Sequence, residues 1–220
     1  DNVPHLLVRC VVHGTGHGGS NAGNKLLAQL QAELESGPGI RVPKLPDMGN
    51  DQWMVTVFFD ASLGGPPGCK SQCGIIVLVS SKDAVLELTP CSLVEWSSSR
   101  IPRVVRSTMA SESAAMATAL DIGLHTASLL HSLASGHMDV TTGWRGRLMP
   151  TVRLVTDCKS VYDHVRSTTL PTERTVVYDV LQARESLERG WVHLNWVPTT
   201  HQQADCCTKM MPDSALHKLL

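Results

Sequence analysis

The stretch Trp53–Ser62, WMVTVFFDAS, constrains the fold more than any other part of this chain. Read as a strand, it sets Val55, Val57 and Phe59 on one face and Met54, Thr56 and Phe58 on the other. A strand apolar on both faces belongs in the middle of a covered sheet. It ends in one carboxylate, Asp60, which shares the parity of Met54, Thr56 and Phe58. The C-terminal ends of strands are where α/β sheets bind their ligands. Taken alone, Asp60 fits two roles, a cap for the following turn or a residue of a site. The rest of the chain decides between them.

With 220 residues the chain can bury a core as one domain, or as one domain with an appendage. A formal charge of -1 disfavours holding nucleic acid by net charge, though not by a local patch. Seven cysteines, an odd number scattered among apolar runs, suit free thiols in a reducing compartment better than a disulfide framework. No signal-peptide pattern is present, and no apolar run approaches the roughly 20 residues of a membrane span. Neither secretion nor a membrane partner is expected. The chain begins at Asp1, which suggests a piece of a longer protein.

Residues 1–50 read as an N-terminal extension and 51–220 as the main domain. HLLVRCVV (5–12) suits a short strand, and Asn24 can cap a helix that ends at Gly37-Pro38-Gly39. Between them, the Gly14–Gly19 run has the glycine spacing of a dinucleotide-binding turn. The helix it should open starts only near residue 24 and no βαβ unit follows, so a flexible loop is the better reading. After the Asp60 strand come a turn-forming segment (64–72), a second strand (73–80) and a third within 85–97. Short connections make these antiparallel neighbours. Ser107 or Thr108 caps a long helix beginning MASESAAM. A loop at 135–150 leads to a fourth strand (151–157), which again ends in aspartate. Helices at 159–167 and 172–189, the latter ended by Gly190, precede a fifth strand (191–197). A closing helix within 201–220, interrupted near Pro212, completes the chain. The order predicts an α/β fold with one mixed sheet.

On this order Asp60 and Asp157 both stand at C-terminal strand ends, side by side if strands one and four pair in parallel. Glu112 lies in the first turn of the long helix, in step with Met116, Leu120 and Gly123 on the face toward the sheet. Asp205 opens the last helix. Two carboxylates about 4 Å apart repel by roughly 4 kcal/mol at an effective dielectric near 20. Four converging would oppose much of a typical stability of about 5–15 kcal/mol. Such a cluster spreads apart or binds cations, and oxygen-only ligands favour Mg²⁺, with Mn²⁺ as the alternative. Two such ions would suit in-line attack of water on a phosphodiester.

Six motifs in order carry a resemblance: FFDAS (58–62), KSQCG (70–74), VEWSSSRIP (94–102), STMASESAAM (107–116), TDCKS (156–160) and WVPTTHQQADCCTK (196–209). Together they resemble the ribonuclease H domain of copia-type retrotransposon polyproteins, over roughly residues 53–212. The resemblance implies a ribonuclease H-like fold, with three antiparallel strands, then two parallel ones, and flanking helices. It implies hydrolysis of the RNA strand of RNA/DNA hybrids, leaving 3′-hydroxyl and 5′-phosphate ends. The family carboxylates fall on Asp60, Glu112, Asp157 and Asp205. Asp60 would bridge two metal ions, Glu112 and Asp157 hold the one beside the leaving group, and Asp205 the one that activates water. His201 matches a mobile histidine that assists proton transfer or product release, on a loop shorter than in cellular ribonucleases H. Cys158 stands where the family has Asn. The implied partner besides the hybrid is a reverse transcriptase domain of the same polyprotein, of which residues 1–50 would be the tail or a connection segment. The implied location is cytoplasmic, in a virus-like particle, or nuclear.

Arg100, Arg103 and Arg106 are spaced by three residues and suit a ridge against hybrid phosphates or a solvated loop. Lys159 and Lys209 lie near loops of the same edge. Ser97–Ser99 suit contacts to 2′-hydroxyls or phosphates. The candidate substrate contacts are thus Ser97, Ser98, Arg100, Arg103 and Lys159. Cys206 and Cys207 lack a companion pair at zinc spacing. Trp53, Trp96, Trp191 and Trp196 each fall on a predicted strand and are expected in the core. Two rivals remain: an integrase-like strand transferase, which Asp205 in place of a later glutamate disfavours, and a catalytically silent ribonuclease H-like scaffold.

Overall fold

β1 (Trp53–Ser62) is the central strand of a five-stranded sheet of order β3-β2-β1-β4-β5. A computed structural model describes residues 52–64, 70–82, 91–136 and 150–209. The strand and helix expected before residue 50, the Trp144 loop and the chain beyond Lys209 lie outside the described residues. β2 (Gln72–Ser81) and β3 (Cys91–Arg100) form an antiparallel meander with β1. β4 (Thr151–Thr156) pairs with β1, and β5 (Val192–Trp196) with β4, both in parallel. The helices are α1 (Thr108–Ser135), α2 (Lys159–Arg166), α3 (Arg174–Glu188) and the short α4 (Asp205–Thr208). A 3₁₀ turn, Thr199–His201, precedes α4.

Alternation in β1 sorts its side chains as the sequence demands. Val55, Val57 and Phe59 are fully buried, in one apolar cluster with Ile75, Val77, Leu154 and Val192 of the neighbouring strands. The same cluster takes Met116 and Leu120 from α1, Val161 from α2, and Val176 and Val180 from α3. On the other face Met54 is buried, while Thr56 and Phe58 are half-buried.

α1 presents mostly small residues to the sheet, including Ala110, Ala115, Ala119 and Ala127. This lets its backbone come close. At Gly123 a Cβ would lie 2.8 Å from Val152 Cγ1 and 3.1 Å from Val57 Cγ2. Ser107 caps the helix, its Oγ accepting from the Ala110 N–H at 3.0 Å. Gly136 (φ 67°) and Gly190 (φ 70°) supply the left-handed residues that close α1 and α3.

The third strand lies further along the chain than its apolar pattern indicates. Ser98–Arg100, beyond the expected span of 85–97, pair with Gly74–Gln72 in the sheet. As an edge strand β3 is largely exposed, so polar residues suffice. Its register against β2 shifts between Val77 and Leu78. α4 packs on the Asp60 side of the sheet, over Gly74. A Cβ at Gly74 would meet Cys207 Cβ at 2.7 Å and Thr208 Cγ2 at 2.8 Å.

Candidate metal centre

The parallel register of β1 and β4 sets Phe58 level with Val155. Asp60 and Asp157, each two residues further on, therefore come side by side. Asp205, the first residue of α4, is carried to them by the close seat of that turn on β2. One carboxylate oxygen from each of Asp60, Asp157 and Asp205 lies within 4.8 Å of the others. Asp60 and Asp205 are buried, at 2% and 6% exposure.

Glu112 joins this group from α1. It is the fifth helical residue, just beyond the first turn where the sequence spacing put it. Its side chain is buried and its Oε2 has no hydrogen-bond partner. Burial, then the charges of Asp60 and Asp157, push its pKa up to about 8, against a hydrogen bond from the Ala61 backbone and the charge of Lys209. Burial likewise raises Asp60. A hydrogen bond from Thr208 and the Lys209 charge oppose that rise, while Asp205 and Asp157 add to it.

Side chains beyond the acids fix the edge. Buried Gln202 donates from Nε2 to the Phe59 carbonyl at 2.9 Å and to Asp157 Oδ1 at 3.4 Å, and its Oε1 accepts from the Ala204 N–H at 3.2 Å. One amide thus ties β1, the end of β4 and the approach to α4. Thr208 Oγ1 donates to Asp60 Oδ2. Lys209 Nζ lies 2.6 Å from Asp205 Oδ1 and 3.8 Å from Asp60 Oδ2. Trp196 Nε1 donates to the Asp157 carbonyl at 2.9 Å. Gln202, Thr208 and Trp196 were not legible as site residues from periodicity; all three lie within the last quoted motif. Trp196 is 42% exposed and is not the core residue its strand position suggested.

These donors fit hard divalent cations. All are oxygens, three come within reach of one point, and the buried Glu112 oxygen lacks a partner. Metal-held carboxylates would relieve the repulsion that Lys209 offsets only in part. The remaining predicted residues lie elsewhere. His201 is exposed on its 3₁₀ turn, with Nδ1 3.0 Å from Thr200 Oγ1. Ser97 is half-buried in β3 and Arg100 is exposed at its end. Ser98 donates to the Cys207 carbonyl and accepts from Gln72, bracing α4. Arg103 pairs with Asp179, and Lys159 with Asp163 on its own helix.

No family model and no curated protein matches the chain. Solved structures similar to it include the N-terminal ribonuclease H domain of a Mycobacterium tuberculosis protein. That domain is 16% identical, with 76% of this chain and 99% of that one covered and a TM-score of 0.48. Ribonuclease H1 from Halobacterium salinarum is 17% identical over 75% of this chain and 98% of that one, with a TM-score of 0.47. A foamy-virus ribonuclease H domain is 12% identical over 76% and 96%, with a TM-score of 0.40. The strand order, with three antiparallel strands and two added in parallel, is that of the ribonuclease H-like fold.

Proposed function

We propose that this chain is a divalent-metal-dependent ribonuclease H that cuts the RNA strand of RNA/DNA hybrids in the replication of a copia-type retroelement. The observation that carries the reading is the convergence of Asp60, Asp157 and Asp205 on one sheet edge, with the buried Glu112, whose Oε2 has no partner, close enough for the charges of Asp60 and Asp157 to raise its pKa. Aspartates that only capped turns would have no cause to meet there.

Asp60, Glu112, Asp157 and Asp205 would hold two Mg²⁺ ions, with Mn²⁺ as a substitute. Bound there, the ions supply charge for the scissile phosphate and a water acidified toward neutral pH. Asp60 would serve as the ligand common to both ions, with Glu112 and Asp157 the acids for the one on the leaving-group side and Asp205 the acid for the one that activates water. Gln202 keeps Asp157 and the Phe59 backbone in register, so the two strand ends do not drift apart. Lys209 neutralises part of the cluster before cations arrive. His201, exposed beside α4, is the proton carrier or release residue. Ser97, Ser98, Arg100, Arg103 and Lys159 are the candidate hybrid contacts. Arg103 and Lys159 exchange Asp179 and Asp163 for phosphates on binding. The expected partner is the reverse transcriptase domain of the same polyprotein, in a cytoplasmic virus-like particle or in the nucleus.

The test incubates the protein with end-labelled RNA/DNA hybrid, duplex RNA and duplex DNA, with and without Mg²⁺. Cleavage confined to the RNA of the hybrid, dependent on Mg²⁺ and leaving 5′-phosphates, is expected. A folded, metal-binding protein that cuts none of the three is a silent scaffold. Joining of DNA ends would make it a strand transferase.

A further inference from the structure

We infer that Cys206 and Cys207 are an oxidative modification site, a vicinal dithiol that a peroxide converts to a disulfide and that thereby unseats Asp205. The consequence for metal binding rests on the two-metal reading above; the disulfide does not.

The two thiols are consecutive residues of α4, half-buried, with their sulfurs 3.9 Å apart. A disulfide needs about 2.0 Å. Consecutive helical residues point about 100° apart around the axis, so that closure cannot occur on a helical backbone. Bond formation must open the turn. The turn is short, and the bonds to its backbone include the Cys207 N–H to the Ala204 carbonyl at 2.9 Å, the Lys209 N–H to the Asp205 carbonyl at 2.9 Å, and Ser98 donating to the Cys207 carbonyl; opening it breaks these.

Every other side chain of that segment serves the acids. Asp205 is itself one of the three clustered aspartates. Thr208 bonds Asp60, and Lys209 reaches both Asp205 and Asp60. The dithiol sits between them, so a backbone change at Cys206–Cys207 reaches Asp205 on one side and the two Asp60 contacts on the other. The Cys207 sulfur lies 4.0 Å from the Ile75 carbonyl, against β2. The Cys206 sulfur donates to the Gln203 carbonyl at 3.1 Å, and we assign it the first encounter with the oxidant. By contrast, Cys73 is buried in the core.

The chemistry balances with a peroxide as oxidant. The Cys206 thiolate attacks one peroxide oxygen, the O–O bond breaks, and a sulfenic acid forms as hydroxide leaves and takes a proton to become water. The Cys207 sulfur then attacks the sulfenic sulfur. An S–S bond forms, the S–O bond breaks, and a second water leaves. The dithiol loses two electrons and two protons, and hydrogen peroxide gains both.

The experiment treats the full chain with hydrogen peroxide, then maps disulfides by tryptic peptide mass and titrates Mn²⁺ by calorimetry. The tryptic peptide Gly190–Lys209 contains no other cysteine, so an internal bond is read directly from its mass. The expected result is that bond, a fall in Mn²⁺ affinity of about tenfold or more, and recovery with dithiothreitol. Cys207→Ser and Cys206→Ser should each keep the Mn²⁺ affinity of the reduced protein through the same treatment. Thiols that stay alkylatable, sulfurs oxidised without an S–S bond, or a disulfide that leaves Mn²⁺ affinity unchanged would each overturn the inference. Reduced protein that binds no Mn²⁺ refutes the metal reading and the coupling together, and the peptide mass still decides whether the disulfide forms.

Discussion

The carboxylate edge and the basic rim, Arg103 just after β3 and Lys159 on α2, are charged on opposite terms. Asp60, Glu112 and Asp205 are like charges at 2%, 5% and 6% exposure, brought together from β1, α1 and α4. Arg103 and Lys159 have side chains 43% and 60% exposed, and each already pairs with an acid of the protein. Strand register and helix seating dictate where a buried acid stands. A long cation on the surface chooses among partners at little cost. The fold therefore specifies the carboxylate edge closely and leaves the exposed cations able to change partner.

Four measurements sharpen or break that contrast. Asp60→Asn should lower Mn²⁺ affinity by more than about a hundredfold and abolish cleavage of the hybrid. Its metal-free melting temperature should not fall, because a repelling charge has gone. Calorimetry and thermal melts check both, and retained cleavage would remove Asp60 from the site.

The pH dependence comes next. The Glu112 pKa rises from an ordinary 4.5 to about 8 in the folded state. Between those values the folded chain holds a proton that the unfolded chain has released, so stability falls as pH rises through that window. Melts of metal-free protein should show this decline. Glu112→Gln should flatten it, and saturating Mg²⁺, which favours the ionised carboxylate, should flatten it too. Arg103→Ala should leave the profile alone.

Gly74→Ala should destabilise the protein by roughly 1–3 kcal/mol, because its Cβ would overlap Cys207 and Thr208. It should also weaken Mn²⁺ binding, since α4 must lift. Denaturant melts and calorimetry would separate a packing defect from a metal defect. The smallest effect is expected at the rim. Arg103→Ala should change stability by less than about 1 kcal/mol, and lower the salt dependence of hybrid binding by about one ion. A large loss of stability there would erase the contrast.

Much of the edge was readable because its residues obey short-range rules. Parity put Asp60 on a definite face of β1, and the alternation of strands and helices put Asp157 beside it. Ser107 or Thr108 marked the start of α1, and Ser107 is the cap. What escaped depended on contacts remote in the chain. Ser98–Arg100 fell outside the expected third strand because an edge strand needs no apolar alternation, and only pairing with β2 makes them strand. Gln202 shows no period, yet it joins segments 143 residues apart. Trp196 follows the apolar rhythm of β5, but its indole N–H is held at the Asp157 carbonyl, out where the ring stays exposed.

The missing side chain at Gly123 carries a last consequence. It stands eleven residues beyond Glu112 on α1, about 16 Å along the axis. There α1 rests on Val57 and Val152 as a beam rests on a pivot. A larger residue at 123 would meet Val152 at 2.8 Å, and where the helix gives rather than the valine, its far end carries Glu112 with it. A change deep in the packing can thus part Glu112 from the three aspartates while all four acids survive. Four intact carboxylates in a related sequence therefore do not by themselves preserve the geometry of this edge; the residue at the pivot counts as well.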